Sequence, residues 1–154
     1  MGADDGSPMR DELSVRQIAR NGVTYFVTWR LHPRQPPLAP AERTLIVDAL
    51  KHFDGERYLL GAYVVMDDHV HLVVQPARDH QLSTILHTWK SFTAHALQVA
   101  NLREGALWQH GSHGRIIRDE DALSATWAYV LGNPKRRWGD SQPYVWAGVG
   151  ELRM

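Results

Sequence analysis

The amino-acid sequence predicts an α+β domain with a ferredoxin-like (RRM-like) split βαβ arrangement, in which an antiparallel sheet carries its helices on one face. Short runs of β-branched and aromatic residues alternate with longer segments whose apolar residues recur at helical spacing. The resulting order, β-α-β-β-α-β-α, begins with the six elements of the split βαβ pattern. The seventh element is a C-terminal helix that bears Tyr129, and the other sheet face is then free to hold a site.

A single domain accounts for most of the chain, because 154 residues suffice for one hydrophobic core. We expect a flexible tail over residues 1–20 and one domain over residues 21–154. Residues 1–8 contain no apolar stretch, so we do not expect a signal peptide.

The first half of the chain contains three predicted strands and one helix. They are strand one at 23–31, helix one at 41–53, strand two at 57–66 and strand three at 69–75. β-Branched and aromatic residues identify the strands, and four prolines between 32 and 40 predict a loop. Gly55 fits the end of the helix, and Asp67-Asp68 fits a tight connection between strands two and three.

The second half contains two predicted helices joined by an ambiguous segment. They are helix two at 82–102, short extended pieces within 106–117, helix three ending at Gly132, and an irregular tail at 138–154. Ser83 is a candidate cap for helix two, and Asp119 or Asp121 for helix three. Asn133-Pro134 is predicted to stop helix three.

The composition excludes several classes of function. The chain has no cysteine, so disulfides, thiol nucleophiles and thiolate metal sites are excluded, and a cytoplasmic location is expected. No apolar run approaches the roughly 18 residues that span a bilayer, so no membrane role is expected. Seventeen basic and seventeen acidic residues cancel, which counts against broad, nonspecific DNA binding but leaves room for a local basic groove.

Two histidines on strand three are the first candidate site residues. His69 and His71 are two residues apart, so their side chains project from one face of an otherwise apolar strand. Such a pair could share a metal ion and leave most of its coordination sphere open for a third ligand and a substrate oxygen. The alternative is that both are strand histidines with ordinary hydrogen-bond partners.

Tyr129 and Asn133 on helix three are the second candidate pair. A spacing of four residues places them on one helical face, one turn apart. The Asn133 oxygen could then be a third ligand beside His69 and His71, with Tyr129 next to the metal. The alternative is that Tyr129 packs in the core and Asn133 caps the helix C-terminus.

These motifs, taken in order, resemble the REP-associated tyrosine transposases, which are relatives of the IS200/IS605 single-strand transposases within the His-hydrophobic-His nucleases. The pieces that carry the resemblance are short but stand in register from about residue 23 to residue 146. They are Tyr25-Phe26-Val27-Thr28-Trp29-Arg30, Val65-Met66-x-x-His69-Val70-His71, Trp89-Lys90-Ser91, Trp108-Gln109, Arg115-x-x-Arg118-Asp119 and Tyr129-x-x-x-Asn133-Pro134.

The resemblance implies a mechanism and a partner. His69, His71 and Asn133 would hold Mg²⁺ or Mn²⁺, and Tyr129 would attack a scissile phosphate to give a 5′-phosphotyrosine link and a free 3′-hydroxyl. The substrates would be single-stranded DNA hairpins from repetitive extragenic palindromes, met in the bacterial nucleoid. The resemblance leaves a monomer and a homodimer with exchanged tyrosine helices both open.

Six cations and one tryptophan are candidates for DNA contact. The cations are Lys90, Arg115, Arg118, Lys135, Arg136 and Arg137. Each would bind phosphate, and the alternative for each is a solvated surface charge. Trp108 would stack on an unpaired base, whereas core packing is expected for Trp89.

The chain departs from its relatives around the site. Asp67-Asp68 replaces a frequent Pro-Asn, Gly114 replaces a common Asp, and residues 135–139 replace a Val-Arg-Ala-Gly-Leu-like segment. The presumed ligands and nucleophile are intact, so these changes bear on substrate specificity more than on chemistry. Two other functions stay open: a domesticated, weakly active or inactive binder of DNA hairpins, and a metal-dependent hydrolase that uses water without a covalent step.

Overall fold

The computed structural model of the protein describes residues 22–101, 103–139 and 143–154, and the predicted tail at 1–20 lies outside these ranges. The elements are β1 (Tyr25–Arg30), α1 (Pro40–His52), β2 (Tyr58–Val65), β3 (His69–Pro76), α2 (Leu82–Asn101), β4 (His113–Ile116), α3 (Glu120–Leu131), α4 (Asn133–Trp138) and β5 (Ala147–Val149). The predicted β-α-β-β-α-β-α order is confirmed, and α4 and β5 follow it.

The strands form one antiparallel sheet in the order β4-β1-β3-β2-β5. The first four strands have the arrangement expected of a split βαβ fold, with β1 and β3 side by side in the centre. The prediction of an irregular tail was wrong at Ala147–Val149, which pairs with Ala62–Val64. Three residues carry too little alternation to reveal a strand, and the hydrogen bonds that form it come from β2.

Each face of the sheet has its own hydrophobic core. On one face, α1 and α2 cover Trp29, Leu72 and their neighbours, and on the other face Trp127 and Val130 of α3 pack against the sheet. His69 and His71 lie on the α3 face, because strand residues alternate and their neighbours Val70 and Leu72 belong to the first core. The helix that bears Tyr129 therefore packs on the histidine face, which the prediction had left free of helices.

A glycine on β2 allows α3 to approach the sheet closely. A Cβ atom built on Gly61 would lie 2.9 Å from the ring of Trp127, which is closer than real Cβ contacts allow. Trp127 thus packs directly over the β2 backbone. This contact sets the height of α3 above the sheet, and with it the height of Tyr129.

Two helix boundaries differ from the predictions. Asp119 caps α3 as expected, since its carboxylate accepts a hydrogen bond from the Ala122 backbone N–H. α3 ends at Leu131, and Asn133-Pro134 then begins a second helix, α4. Proline is tolerated there because the N–H groups of the first helical turn have no intrahelical partner. Ser83 lies inside α2 and so is not its cap.

Across the parts of the chain that the structure describes, no helix has the length and apolar character needed to cross a bilayer.

Candidate active site

The two histidines of β3 are adjacent and buried. Their ring centroids are 4.5 Å apart, and the exposed fractions of His69 and His71 are 7% and 5%. His71 also stacks on Phe26 of β1, with ring centroids 5.5 Å apart. The pair is therefore held rigidly on the face of the sheet that α3 covers.

Each histidine uses its Nδ1 atom within the protein. The Asp68 carboxylate lies 2.7 Å from His69 Nδ1, and the Thr28 hydroxyl lies 2.6 Å from His71 Nδ1. Histidine ligands of metals commonly engage their second nitrogen in this way, which sets the tautomer and the orientation of the ring. With both Nδ1 atoms engaged, the Nε2 atoms are the ones that remain for an external partner.

The surroundings of His71 keep its ring neutral. Burial, reinforced by the nearby His69, Arg30 and Arg136, lowers the pKa of His71 from 6.5 to about 3. The neutral imidazole is the form that binds a metal ion. His71 is thus poised as a ligand over the whole physiological pH range.

Tyr129 projects from α3 beside this pair. Its ring meets His71 edge-on at 5.4 Å and Phe26 at 6.1 Å, and 46% of the residue is exposed. The guanidinium of Arg136 lies 4.4 Å from the centre of the Tyr129 ring and donates a hydrogen bond to the Tyr129 backbone carbonyl. A solvent-accessible phenol next to a histidine pair can reach a large substrate that covers this face.

Asn133 stands on α4 and not on the helix of Tyr129. The expectation that both residues belong to helix three was wrong, because α3 ends at Leu131 and Gly132 joins it to α4. Gly132 has αR dihedral angles, and Asn133, the first residue of α4, is buried with 9% exposure. In the described ranges no three His, Asp or Glu side chains form a metal-binding group, so an amide would have to complete a site built on the histidines.

Two predicted DNA contacts, Arg115 and Arg136, border the tyrosine. Arg115 of β4 lies 4.6 Å above the Phe26 ring, on the side of Phe26 away from β3. The Arg136 guanidinium lies over the Tyr129 ring. Arg118 lies just before the start of α3 and Lys135 lies on α4, and both are exposed. Arg115 also lies 3.5 Å from the Thr126 hydroxyl, so its side chain lies between β4 and the helix that carries Tyr129.

The other three predicted DNA contacts are held by backbone carbonyl groups, by carboxylates or within the core. Lys90 donates hydrogen bonds to the carbonyl groups of Gln109 and Gly111, and burial lowers the pKa of its ammonium. Arg137 forms ion pairs of 3.0 Å with Asp67 and 3.3 Å with Asp68. The Trp108 ring is buried, donates to Thr93 and meets Trp29 edge-on, so it is a core residue and is poorly placed to stack on a base.

The acidic pair that departs from the relatives has a structural role. Asp68 accepts from His69 and also faces Arg137, and these two neighbours outweigh burial and hold the pKa of Asp68 below its usual value. Asp67 pairs with Arg137 as well. The turn between β2 and β3 is thus joined to α4, and its negative charge is compensated.

Sequence reasoning missed three residues of the site: Thr28, Asp68 in its role beside His69, and Arg30. Arg30 pairs with His69 across β1 and β3, and its side chain is exposed. Alternation along β1 shows that Phe26, Thr28 and Arg30 share a face. Only the pairing register shows that this face is the one that carries the histidines.

Comparisons with known proteins give the family of the chain and relatives of its fold. The family model described as "Transposase IS200 like" matches residues 24–132. A solved structure of a REP-associated tyrosine transposase bound to a REP hairpin superposes with a TM-score of 0.71 at 19% identity, covering 96% of this chain and 82% of that one. A candidate transposase from Deinococcus radiodurans R1 superposes with a TM-score of 0.55 at 20% identity, covering 73% and 90%. No curated protein matches the chain.

Proposed function

The chain belongs to the IS200-like transposase family, and from this premise we propose that it cleaves and rejoins single-stranded DNA at hairpins through a covalent bond to Tyr129. The observation that carries the proposal is the contact between the exposed Tyr129 ring and the buried His71 ring at 5.4 Å. A nucleophile and a pair of potential metal ligands on one surface are the two components that such a reaction needs.

His69, His71 and Asn133 would hold a divalent cation, Mg²⁺ or Mn²⁺. The engaged Nδ1 atoms support this assignment, because they leave Nε2 of each histidine for the ion. The amide oxygen of Asn133, the first residue of α4, would be the third ligand, since carboxamide oxygens suit such cations. When bound, the ion would polarise the scissile phosphate and stabilise the charge that develops on its oxygens.

Tyr129 would supply the nucleophile. A bond forms between its phenolic oxygen and phosphorus, and the bond between phosphorus and the 3′-oxygen breaks. The phenol releases its proton to solvent, and the departing 3′-oxygen takes one up. Because the new phosphotyrosine bond retains the energy of the phosphodiester, a 3′-hydroxyl can reverse the reaction and rejoin strands.

The DNA strand would bind on the histidine face of the sheet beside the exposed Tyr129. Arg115 and Arg136 flank Tyr129 there and would contact phosphates, and Arg118 and Lys135 would extend the contact. A solved structural relative was captured with a REP hairpin, and we propose a hairpin of this class as the substrate here. Lys90, Arg137 and Trp108 are secondary candidates, because Lys90 is bonded to backbone carbonyl groups away from Tyr129, Arg137 is paired with two carboxylates, and Trp108 lies in the opposite core.

A single chain would carry a complete site. Tyr129 and His71 contact one another within one chain. This contact supports a monomer that acts in cis rather than a dimer that exchanges its tyrosine helices. Size-exclusion chromatography with light scattering, with and without the hairpin, tests it, and a dimer as the active species would contradict it.

Covalent trapping tests the proposed function. The protein is incubated with Mn²⁺ and a labelled single-stranded hairpin from repeats that flank its own gene, then resolved on a denaturing gel. We expect a shifted band that Tyr129→Phe abolishes and that Tyr63→Phe, a change on the opposite sheet face, leaves intact. Hairpin binding without an adduct would identify a binder, and cleavage that survives Tyr129→Phe but is lost in His69→Ala would identify a hydrolase.

A further inference from the structure

Arg30 is a cation of the histidine face without an internal partner. It is the last residue of β1, its side chain is exposed, and it lies directly opposite His69 on β3. Its guanidinium forms no ion pair, hydrogen bond or ring contact with any residue in the described ranges. By contrast, the neighbouring Arg136 and Arg137 are engaged with Tyr129 and with the acidic turn.

The position of Arg30 relative to Tyr129 is informative. Tyr129 contacts Phe26, and Phe26 precedes Arg30 by four residues on the same face of β1, which is about 13 Å along a strand. His71 lies opposite Thr28, the residue midway between them. The histidines therefore lie between the nucleophile at one end of the site and Arg30 at the other.

This arrangement matches the geometry of phosphoryl transfer. The attacking and leaving oxygens of such a reaction lie roughly in line, on opposite sides of phosphorus. If a phosphate lies at the histidines and Tyr129 attacks from the Phe26 end, the leaving strand departs toward Arg30. An arginine whose guanidinium has no internal partner can donate hydrogen bonds from all of its guanidinium N–H groups to a phosphate.

We propose that Arg30 binds a phosphate of the DNA strand that leaves with a free 3′-hydroxyl and so retains that strand for rejoining. The inference rests on the proposed function and adds Arg30 as a residue that binds the leaving strand. After cleavage the downstream strand is bonded to Tyr129, whereas the upstream strand is held by noncovalent contacts alone. Arg30 supplies such a contact at the end of the site where the strand emerges.

The test separates cleavage from retention. A hairpin oligonucleotide labelled at its 5′ end is cleaved by wild-type protein, Arg30→Ala, Arg30→Lys and the matched control Arg78→Ala. Arg78 is also exposed, but it follows β3 at the opposite end of the sheet from His69. Release of the labelled 3′-hydroxyl strand and the ratio of rejoined DNA to covalent adduct are followed in time.

We expect Arg30→Ala to release the strand roughly 10- to 100-fold faster, which is the effect of losing one charge-assisted hydrogen bond, and to accumulate adduct at the expense of rejoined DNA. Arg30→Lys should retain the strand better than Arg30→Ala, because lysine keeps the positive charge but lacks the bidentate guanidinium donors. Unchanged release and rejoining in Arg30→Ala would overturn the inference.

A second measurement does not depend on cleavage. The affinity of the same hairpin for Tyr129→Phe protein, with and without Arg30→Ala, is measured as a function of salt. Loss of one phosphate contact lowers the salt slope by about one, whereas an unchanged slope and affinity would contradict the role of Arg30. Absence of an adduct in the wild-type protein would count against the proposed function alone.

Discussion

The ring of Tyr129 meets the ring of His71 edge-on at 5.4 Å, which brings an exposed phenol on α3 against a buried imidazole on β3. Phe26 contacts both rings from β1 and holds them in place. α1 and α2 cover the opposite face of the sheet, whereas α3 covers the face that carries the histidines. The geometry leads to four predictions besides the tests given above.

The partners of the histidines should control metal affinity. Thr28→Val removes the hydroxyl that contacts His71 Nδ1, and Asp68→Asn weakens the acceptor that contacts His69 Nδ1. We expect each change to lower Mn²⁺ affinity about 10- to 100-fold, because such neighbours set the orientation and basicity of histidine ligands. Isothermal titration calorimetry measures the effect. Thr44→Val, a change on α1 outside the site, serves as the control, and equal affinities in all proteins would contradict the assignment.

Acid should destabilise the metal-free protein through His71. Its pKa is about 3 in the folded chain and near 6.5 in the unfolded chain, so the unfolded state binds the proton more tightly. Stability is therefore retained above pH 6.5 and lost as the pH falls from 6.5 toward 3, by about 2 kcal/mol at pH 5.

Urea unfolding in chelator at pH 7 and pH 5 measures this loss. His71→Gln should show a smaller difference between the two pH values than the wild-type protein. His52→Gln, on α1, should behave as the wild type does. An equal loss in His71→Gln and in the wild type would show that other groups are responsible.

Arg115 and Arg137 should differ in their effect on hairpin binding. Arg115 lies above Phe26 and 3.5 Å from the Thr126 hydroxyl, whereas Arg137 pairs with the carboxylates of Asp67 and Asp68. Arg115→Ala should weaken binding of the hairpin and reduce its salt slope by about one. Arg137→Ala should change binding less, and a larger loss in Arg137→Ala would mean that DNA displaces its acidic partners.

The free energy of unfolding of Arg115→Ala and Arg137→Ala shows whether either change affects the fold as well as DNA binding. The ion pairs of Arg137 are partly exposed, so their loss should alter the free energy of unfolding by less than about 1 kcal/mol. Thermal unfolding of both variants checks that any change in hairpin affinity comes from the contact and not from loss of fold.

Gly61→Ala should displace the tyrosine helix. The added Cβ would lie 2.9 Å from the Trp127 ring, so α3 must shift or the ring must move. Overpacking of this kind typically destabilises by about 1–3 kcal/mol. We expect lower stability and slower adduct formation, because Tyr129 stands on the same helix. Adding Trp127→Leu should relieve the overlap, and failure of the double variant to recover part of the lost activity would argue against a positional effect.

Much of the fold could be read from local patterns. Runs of β-branched and aromatic residues predicted β1 to β3, helical spacing predicted α1 to α3, and Asp119 was one of two candidate caps for α3. The boundary between α3 and α4 was missed, because Asn-Pro can either end a helix or begin one. The short strand β5 was missed because its stability comes from pairing with β2.

The sequence by itself determined which side chains share a face: His69 with His71 on one strand, and Phe26, Thr28 and Arg30 on another. Alternation and helical period are local properties of the backbone and need no knowledge of the fold. Only the tertiary structure decided that Thr28 lies opposite His71, that Arg30 lies opposite His69, and that Lys90, Trp108 and Arg137 have partners within the protein. These pairings depend on the register between distant strands and on which charges meet after packing, and neither is encoded within a short stretch of chain.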